Sequence, residues 1–168
     1  MKAKRKHKNC KYGSCLNYNP ADQSCEYETK EGQEKKRKRL KAKCWELKSK
    51  IVRYESINPK TGLCVCFTCD REYPFKKMNA GHLYHNCPEI LDYDKYHIQA
   101  QCFRCNHELS GNLGIFERRI QERFGRDHAD RLFQLNFSLA GTKLSIDDLE
   151  RIKNVLSQRL KEITGESS

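Results

Sequence analysis

The sequence lacks any long apolar run. No stretch approaches the length of a membrane-spanning helix. Residues 1–12 are almost wholly charged or polar, with no apolar segment of the kind that directs secretion. We therefore expect a cytoplasmic protein with no membrane partner. Because disulfides are rare in a reducing cytoplasm, the ten cysteines are expected to be reduced thiols that can bind metal.

Hydrophobic residues are also scarce. They make up 37% of the 168 residues, against 33% charged residues, which argues against a large core. The aromatic residues nevertheless argue against full disorder. The length predicts one domain with at most a small appendage. Such a chain would depend on bound metal for part of its stability.

Acidic residues are scarce in the first part of the chain. Residues 1–50 hold 16 Lys/Arg against 6 Asp/Glu, whereas the rest holds 17 against 16. A basic arm on a near-neutral body predicts electrostatic binding to a nucleic-acid backbone; a solubilising tail is the alternative. The candidate DNA-binding residues are Lys4, Arg5, Lys6, Lys8, Lys35, Lys36, Arg37, Lys38 and Arg39.

Two Cys-x-x-Cys pairs dominate the middle of the chain. Cys66 and Cys69 form the first pair, and Cys102 and Cys105 form the second. Four thiolates at this spacing predict a closed tetrahedral zinc site whose second pair opens a helix. Cys64 and Cys87 lie nearby without the two-residue spacing, and Cys64 is an alternative to Cys66.

A second zinc site is the prediction for a basic, cysteine-bearing arm over residues 1–28. Three thiols there need a fourth ligand, which is His7 or, if the chain folds back, Cys44. The alternative is a disordered arm with incidental cysteines. The candidate ligands are His7, Cys10, Cys15 and Cys25.

Helical periodicity marks both sides of the central region. Residues 29–57 carry an apolar stripe that packs on the parent domain or on a second copy of the chain; its members are Leu40, Cys44, Leu47, Ile51 and Tyr54. Residues 113–124 form a helix ended by Gly125, and another helix follows from about Asp127. Ser145 begins a last helix through a capping pattern.

The central region carries short strands and most of the histidines. Residues 63–67 and 77–84 are expected as short strands and residues 88–96 as a polar loop. Residues 98–102 lead into the second cysteine pair, and a helix is expected from Cys105 or Asn106. Four of the six histidines fall between positions 82 and 107. Phosphodiester hydrolysis needs a base for water and a cation for the phosphate charge. Histidine suits the first role, and Mg²⁺ or Mn²⁺ the second.

These residues also carry a family resemblance. Ala80-Gly81-His82, His97-Ile98 and Asn106 directly after the last cysteine resemble the HNH (ββα-metal) nucleases built on a treble-clef zinc frame. More narrowly, Ala80-Gly81-His82, Gln101-Cys102-x-x-Cys105-Asn106 and Ser110-Gly111-Asn112-Leu113 resemble the NinG (Rap) recombination proteins of lambdoid phages. The resemblance implies an endonuclease that acts on branched DNA, such as Holliday junctions and D-loops, in the host cytoplasm.

The resemblance also implies roles. His82 would be the general base, and Asn106 a ligand of the catalytic metal. His97 stands where HNH proteins usually have an Asn that orients the base, so it would hydrogen-bond the strand or bind the metal. Gly81 stands where many of them have an Asp ligand. Substitutes for that ligand are Asn79 and His85, and further candidates on the first helical turns are His107, Glu108 and Asn112.

We therefore expect an α+β protein with a small zinc-stabilised treble-clef HNH core. The arm would span residues 1–28, a basic helical linker 29–60, the nuclease core 61–125 and a C-terminal helical region 126–168. A homodimer would suit paired cuts. The alternatives are a zinc DNA-binding protein without catalysis, and an HNH nuclease acting on ordinary duplex DNA.

Overall fold

The computed structural model describes residues 18–19, 24–25 and 30–165. Within these residues the fold is α+β, as the sequence predicts, with four α-helices and three two-stranded sheets. The chain divides into two compact units, Met1–Arg39 and Leu40–Ser168. None of the helices described here has the length and apolar character needed to cross a membrane.

The first unit contains strands β1 (Tyr18–Asn19) and β2 (Ser24–Cys25), which pair antiparallel. It also holds the beginning of helix α1 (Lys30–Glu55). Most predicted ligands of a second zinc and the basic residues of the arm lie outside the described residues: His7, Cys10, Cys15, Lys4, Arg5, Lys6 and Lys8. Those predictions stand untested.

The larger unit begins with the rest of α1, whose apolar stripe faces its own chain. Cys44, Leu47 and Ile51 are buried against helix α4 (Ile146–Thr164). Of the two partners that the sequence left open, the parent domain is therefore the one observed, and this stripe is not available as a dimer interface. Cys44, the alternative to His7 as a fourth ligand of a second zinc, is fully buried, and its thiol donates to the Leu149 carbonyl at 3.3 Å.

The C-terminal helices follow the sequence pattern. Helices α2 (Leu113–Phe124) and α3 (Arg126–Ser138) are separated by Gly125, whose φ of 97° a side chain would strain. Their apolar faces form one cluster with residues from the central region, namely Phe67, Leu83, Leu91, Phe116, Ile120, Ala129 and Leu132. Helix α4 begins with a capping box between Ser145 and Asp148, as predicted.

Two small hairpins form the centre of the unit. Strand β3 (Cys64–Val65) pairs with β4 (Glu72–Tyr73), and β5 (Met78–His82) pairs with β6 (Ile98–Cys102). In the second hairpin Met78 lies opposite Cys102 and His82 opposite Ile98. The strand that the sequence predicts over residues 77–84 is thus confirmed for residues 78–82, and residues 98–102 form its partner strand.

The connection between β5 and β6 is not simply a polar loop. It contains a 3₁₀ helix, Glu89–Tyr93, which buries Leu91 in the helical cluster. The buried leucine fixes this connection on the body of the domain. It therefore holds the polar side chains of the connection, including Asp92, in place beside β5.

The segment after β6 departs from the prediction. The helix that we expected from Cys105 is a short π-helix, Arg104–Glu108, and α2 begins only at Leu113. Ser110, Gly111 and Asn112 intervene with φ values of 48°, 85° and 50°. Three successive left-handed residues cannot continue a right-handed helix, and their side chains are types that tolerate this region. The break turns the Gly111 carbonyl back toward β6, where it accepts a hydrogen bond from Gln101.

Candidate functional site

Four cysteines converge at the meeting point of the hairpins. Cys66 and Cys69 lie at the turn between β3 and β4, Cys102 ends β6, and Cys105 lies on the π-helix. Their sulfur atoms all lie within 4.8 Å of one another, and Cys69 Sγ is 3.9 Å from Cys102 Sγ. A tetrahedron with Zn–S bonds of about 2.3 Å has sulfur–sulfur edges of about 3.8 Å. The predicted ligand set is therefore confirmed as a cluster that fits a zinc ion.

Hydrogen bonds around this cluster favour thiolate. The Cys102 N–H donates to Cys66 Sγ at 3.3 Å, and Thr68 Oγ1 lies 3.4 Å from the same sulfur. Burial opposes ionisation of Cys66, but these bonds and those from nearby backbone N–H groups outweigh it and lower its pKa to about 7. Burial and the neighbouring Cys66 raise the pKa of Cys69 to about 12. Four thiolates therefore require a cation among them.

The remaining central cysteines have other partners. Cys64 Sγ donates to the Arg53 carbonyl at 3.3 Å, and Cys87 Sγ lies 3.7 Å from Asp92 Oδ1. Burial and the adjacent Asp92 carboxylate raise the pKa of the Cys87 thiol to about 11. In the described part of the chain, only the cluster of four brings three or more His, Cys, Asp or Glu side chains within metal-binding distance. Cys64 does not replace Cys66.

His82 lies at the end of β5 in a fixed orientation. Its ring stacks on Trp45 of α1, with centroids 4.8 Å apart and planes within 15° of parallel. Its Nε2 atom is 3.4 Å from Asp92 Oδ1, and 27% of the side chain is exposed. Indole stacking fixes the plane of the ring, and the carboxylate favours a proton on Nε2. Nδ1 is then the ring atom with a free lone pair.

His97 lies beneath His82, fully buried. Its Nε2 accepts the Tyr84 N–H at 3.0 Å, and Nδ1 lies 3.0 Å from the Leu91 carbonyl, which requires a proton on Nδ1. Both ring nitrogens are thus occupied by backbone groups. Of the two roles left open by the sequence, the geometry favours hydrogen bonding over metal binding. His97 ties together the two ends of the connection between β5 and β6.

This arrangement predicts acid sensitivity. Burial and the neighbouring His82 lower the pKa of His97 from 6.5 to about 4, although Asp92 and Asp94 oppose the shift. Its stabilising contribution is therefore complete above pH 6.5 and is lost as the pH falls toward 4. We expect the free energy of unfolding to drop by about 2 kcal/mol from this residue alone between about pH 7 and pH 5.

Urea unfolding of the parent and of His97→Asn at several pH values tests this expectation. Loss of zinc in acid affects both proteins alike, so the difference between their slopes isolates His97. Equal dependence on pH in the two proteins would contradict the buried neutral imidazole.

Asn106 lies on the π-helix, close to Gly81. A Cβ atom built on Gly81 would lie 2.9 Å from Asn106 Oδ1 and only 1.9 Å from Gln101 Oε1. The missing Asp of the HNH pattern therefore has a steric reason, because Gln101 fills the space that its side chain would need. Two amide oxygens take up that space instead. Such oxygens are suitable ligands for a hard divalent cation.

The other predicted residues spread over different surfaces. His85 is exposed and lines a cleft beside His82, whereas His107 is exposed and stacks on the exposed Phe103 at 4.7 Å. Asn79 pairs in register with Gln101. The cleft has a volume of about 400 Å³ and is lined by Lys41, His82, Tyr84, His85, Asn86, Cys87, Glu89, Asp92, Gly141, Thr142 and Lys143.

The cleft is lined by both positively and negatively charged side chains. Lys41 Nζ lies 3.1 Å from Glu89 Oε1 and 3.7 Å from Asp92 Oδ2, so one ammonium group bridges two carboxylates near His82. Lys143 adds a second, exposed ammonium group at the rim. The lining thus holds two lysines against two acidic residues, and the charge of Lys41 is offset by its carboxylate partners.

Sequence analysis missed three residues that shape this site. Trp45 and Asp92 come from distant parts of the chain, with no periodicity that links them to His82. Gln101 stands next to the second cysteine pair in the motif Gln101-Cys102, but its type carried no obvious chemistry. A polar residue in the middle of an otherwise buried strand was the available signal.

Comparison with known proteins gives one match. The family model of the bacteriophage lambda NinG protein matches residues 26–166, well over half of the chain. No curated protein and no solved structure matched it.

Proposed function

The chain belongs to the bacteriophage lambda NinG family, as the sequence resemblance predicted, and on that premise we propose that it is a metal-dependent endonuclease for branched recombination DNA. The observation that carries the proposal is the position of His82. The residue ends β5 with its ring held by Trp45 and Asp92, and the zinc-binding hairpins bring Asn106 beside the preceding Gly81. A β-hairpin followed by a helical turn, with these residues on facing elements, supports assignment to the HNH (ββα-metal) class.

In this proposal His82 is the general base. With Nε2–H directed to Asp92, Nδ1 accepts a proton from water as its oxygen attacks the phosphorus of a phosphodiester. The bond from phosphorus to one ester oxygen breaks, and that oxygen leaves with the electron pair and takes a proton from solvent. Trp45 and Asp92 limit the ring to one orientation, and His97 fixes the connection that carries Asp92.

Asn106 would hold the catalytic cation through Oδ1. Bound Mg²⁺ or Mn²⁺ would supply positive charge to the phosphate oxygens and to the leaving oxygen. Lys143, exposed in the cleft lining, would contact the DNA backbone. The role of the zinc cluster is structural, because four thiolates leave no open position for substrate.

The basic run in the first unit supports binding to DNA by charge. Lys35, Lys36 and Lys38 lie on exposed positions of α1, with Arg37 and Arg39 beside them. Contacts from lysine and arginine to phosphates carry no sequence information, which suits an enzyme that selects DNA by branch shape. A symmetric homodimer would suit cuts in two opposed strands.

A zinc DNA-binding protein without catalysis is the second candidate. It is favoured by the finding that, in the described residues, no cluster of three or more His, Cys, Asp or Glu forms beyond the four cysteines. A third candidate is an HNH nuclease on ordinary duplex DNA, which shares every feature of the site.

Cleavage of a four-way junction distinguishes the three candidate functions. The zinc-loaded protein is incubated with the junction, with a D-loop and with a linear duplex of the same sequence, with Mg²⁺, with Mn²⁺ and with chelator. We expect metal-dependent cutting of the branched DNA and little cutting of the duplex. Binding without cutting would identify a binding protein, and equal cutting of junction and duplex would remove the specificity for branches.

A further inference from the structure

Gln101 is a buried polar residue with an unusual imbalance. It lies on β6 and is 0% exposed. Its Nε2 donates to the Gly111 carbonyl at 2.7 Å and to Thr68 Oγ1 at 3.3 Å, so both amide protons are used. Its Oε1 is buried without a hydrogen-bond partner. Both amide hydrogens of Gln101 are thus bonded within the protein, whereas its amide oxygen accepts no hydrogen bond.

This orientation is imposed by the surroundings. Rotating the amide by half a turn would place Oε1 against the Gly111 carbonyl oxygen, and two acceptors repel each other. An unpaired buried acceptor has lost its hydrogen bonds to water without gaining others, which destabilises the fold. Buried polar groups without partners are rare, and each calls for a specific explanation such as an ion that binds there.

The unpaired oxygen lies against Gly81. Gln101 Oε1 and Asn106 Oδ1 both lie within 2.9 Å of the point where a Cβ on Gly81 would be. One oxygen comes from β6, the other from the π-helix, and Gly81 directly precedes His82. Gly81 has no left-handed φ that would explain a glycine there, so its missing side chain is explained by this close approach.

We propose that Gln101 Oε1 is, together with Asn106 Oδ1, a protein ligand of the divalent cation near His82, and that it replaces the acidic ligand excluded at Gly81. The inference rests on the proposed function. Amide oxygens coordinate Mg²⁺ and Mn²⁺, but they carry no negative charge. The cation therefore keeps more of its own charge for the phosphate, and its affinity for the free protein is lower than a carboxylate would give.

The zinc cluster would orient this ligand. Thr68 lies within the first cysteine pair and links Gln101 Nε2 to the Cys66 sulfur. A hydrogen bond from a neighbouring group commonly fixes the direction of a metal ligand. Zinc and the second cation are thus connected through one hydroxyl group.

The test measures Mn²⁺ binding to the zinc-loaded protein by electron paramagnetic resonance, with and without junction DNA. We expect Gln101→Ala and Gln101→Met to weaken Mn²⁺ binding at least about tenfold. Gln101→Met keeps the length of the side chain and removes only its polar end. It therefore keeps the test valid if Gln101→Ala does not fold. Gln99→Ala is the matched control, because Gln99 lies on the same strand and spends its amide on the Lys95 and Tyr96 carbonyls.

A double variant separates ligation from structure. In Gln101→Ala the space above Gly81 is open, so adding Gly81→Asp supplies a carboxylate at the same point. We expect the double variant to bind Mn²⁺ at least as tightly as the parent, an outcome that a merely structural Gln101 does not predict. Zinc content and circular dichroism confirm that each variant is folded.

Failure of this inference can be distinguished from failure of the proposed function. If the parent binds Mn²⁺ and cuts the junction while the Gln101 variants bind it equally well, this inference is wrong and the proposed function stands. If the parent binds no Mn²⁺ with junction DNA present and cuts nothing, both are wrong. Mn²⁺ binding that Gln101→Met weakens and the double variant does not restore would make Gln101 a structural residue.

Discussion

We expect the His82→Ala variant to cut a four-way junction roughly 10²–10⁴-fold more slowly than the parent. The loss follows from removing an imidazole that combines partial exposure, a fixed ring plane and an adjacent carboxylate. Zinc content and junction affinity should stay unchanged, because His82 contacts none of the four cysteines. Single-turnover cleavage at saturating protein concentration measures the chemical step apart from binding.

Two controls sharpen the experiment. His128→Ala removes another ring that stacks on an aromatic neighbour, Tyr96, at a centroid distance of 4.0 Å, and it should cut like the parent. Added imidazole should restore part of the activity of His82→Ala, because the free base can occupy the space left above Trp45. Full activity in His82→Ala would exclude this residue as the base.

Removing zinc should have the largest effect on the fold itself. Cys66, Cys102 and Cys105 are themselves members of the apolar cluster that joins the hairpins to α1, alongside Val52, Met78 and Ile98. Structural zinc sites contribute roughly 10–16 kcal/mol in isolated peptides. That exceeds or matches the whole stability of a typical domain, about 5–15 kcal/mol. We therefore expect the zinc-free hairpins to be unfolded at room temperature.

Chelator dialysis followed by metal analysis and thermal circular dichroism measures this effect. Cys102→Ser should lose the zinc and the cooperative transition together. Cys64→Ser is the matched control, because its Sγ only donates to the Arg53 carbonyl and a hydroxyl can do the same. If the protein kept its cooperative unfolding transition with almost no bound zinc, the metal would have no structural role.

Local patterns made the frame predictable. The two-residue spacing of each cysteine pair, the strand at residues 78–82 and the capping box at Ser145 all depend on neighbours close in sequence. The resemblance that led to the NinG family used the same short motifs. These features need little information from distant parts of the chain.

The inner surroundings of the site were not predictable in that way. Trp45 lies on a helix far before His82, and its contact depends on how α1 packs against the hairpin. The break at Gly111 was missed because the helix expected from Cys105 or Asn106 ends at Glu108, before three residues that adopt left-handed backbone. Gln101 could be recognised as unusual only once its donors and its unpaired oxygen had been located.

The stacking of Trp45 on His82 has a practical consequence. Trp45 is the single tryptophan of the chain, so the intrinsic fluorescence of the protein has one indole source. The protein therefore carries its own optical probe in contact with His82, and the emission of Trp45 should change on the arrival of DNA without any added label.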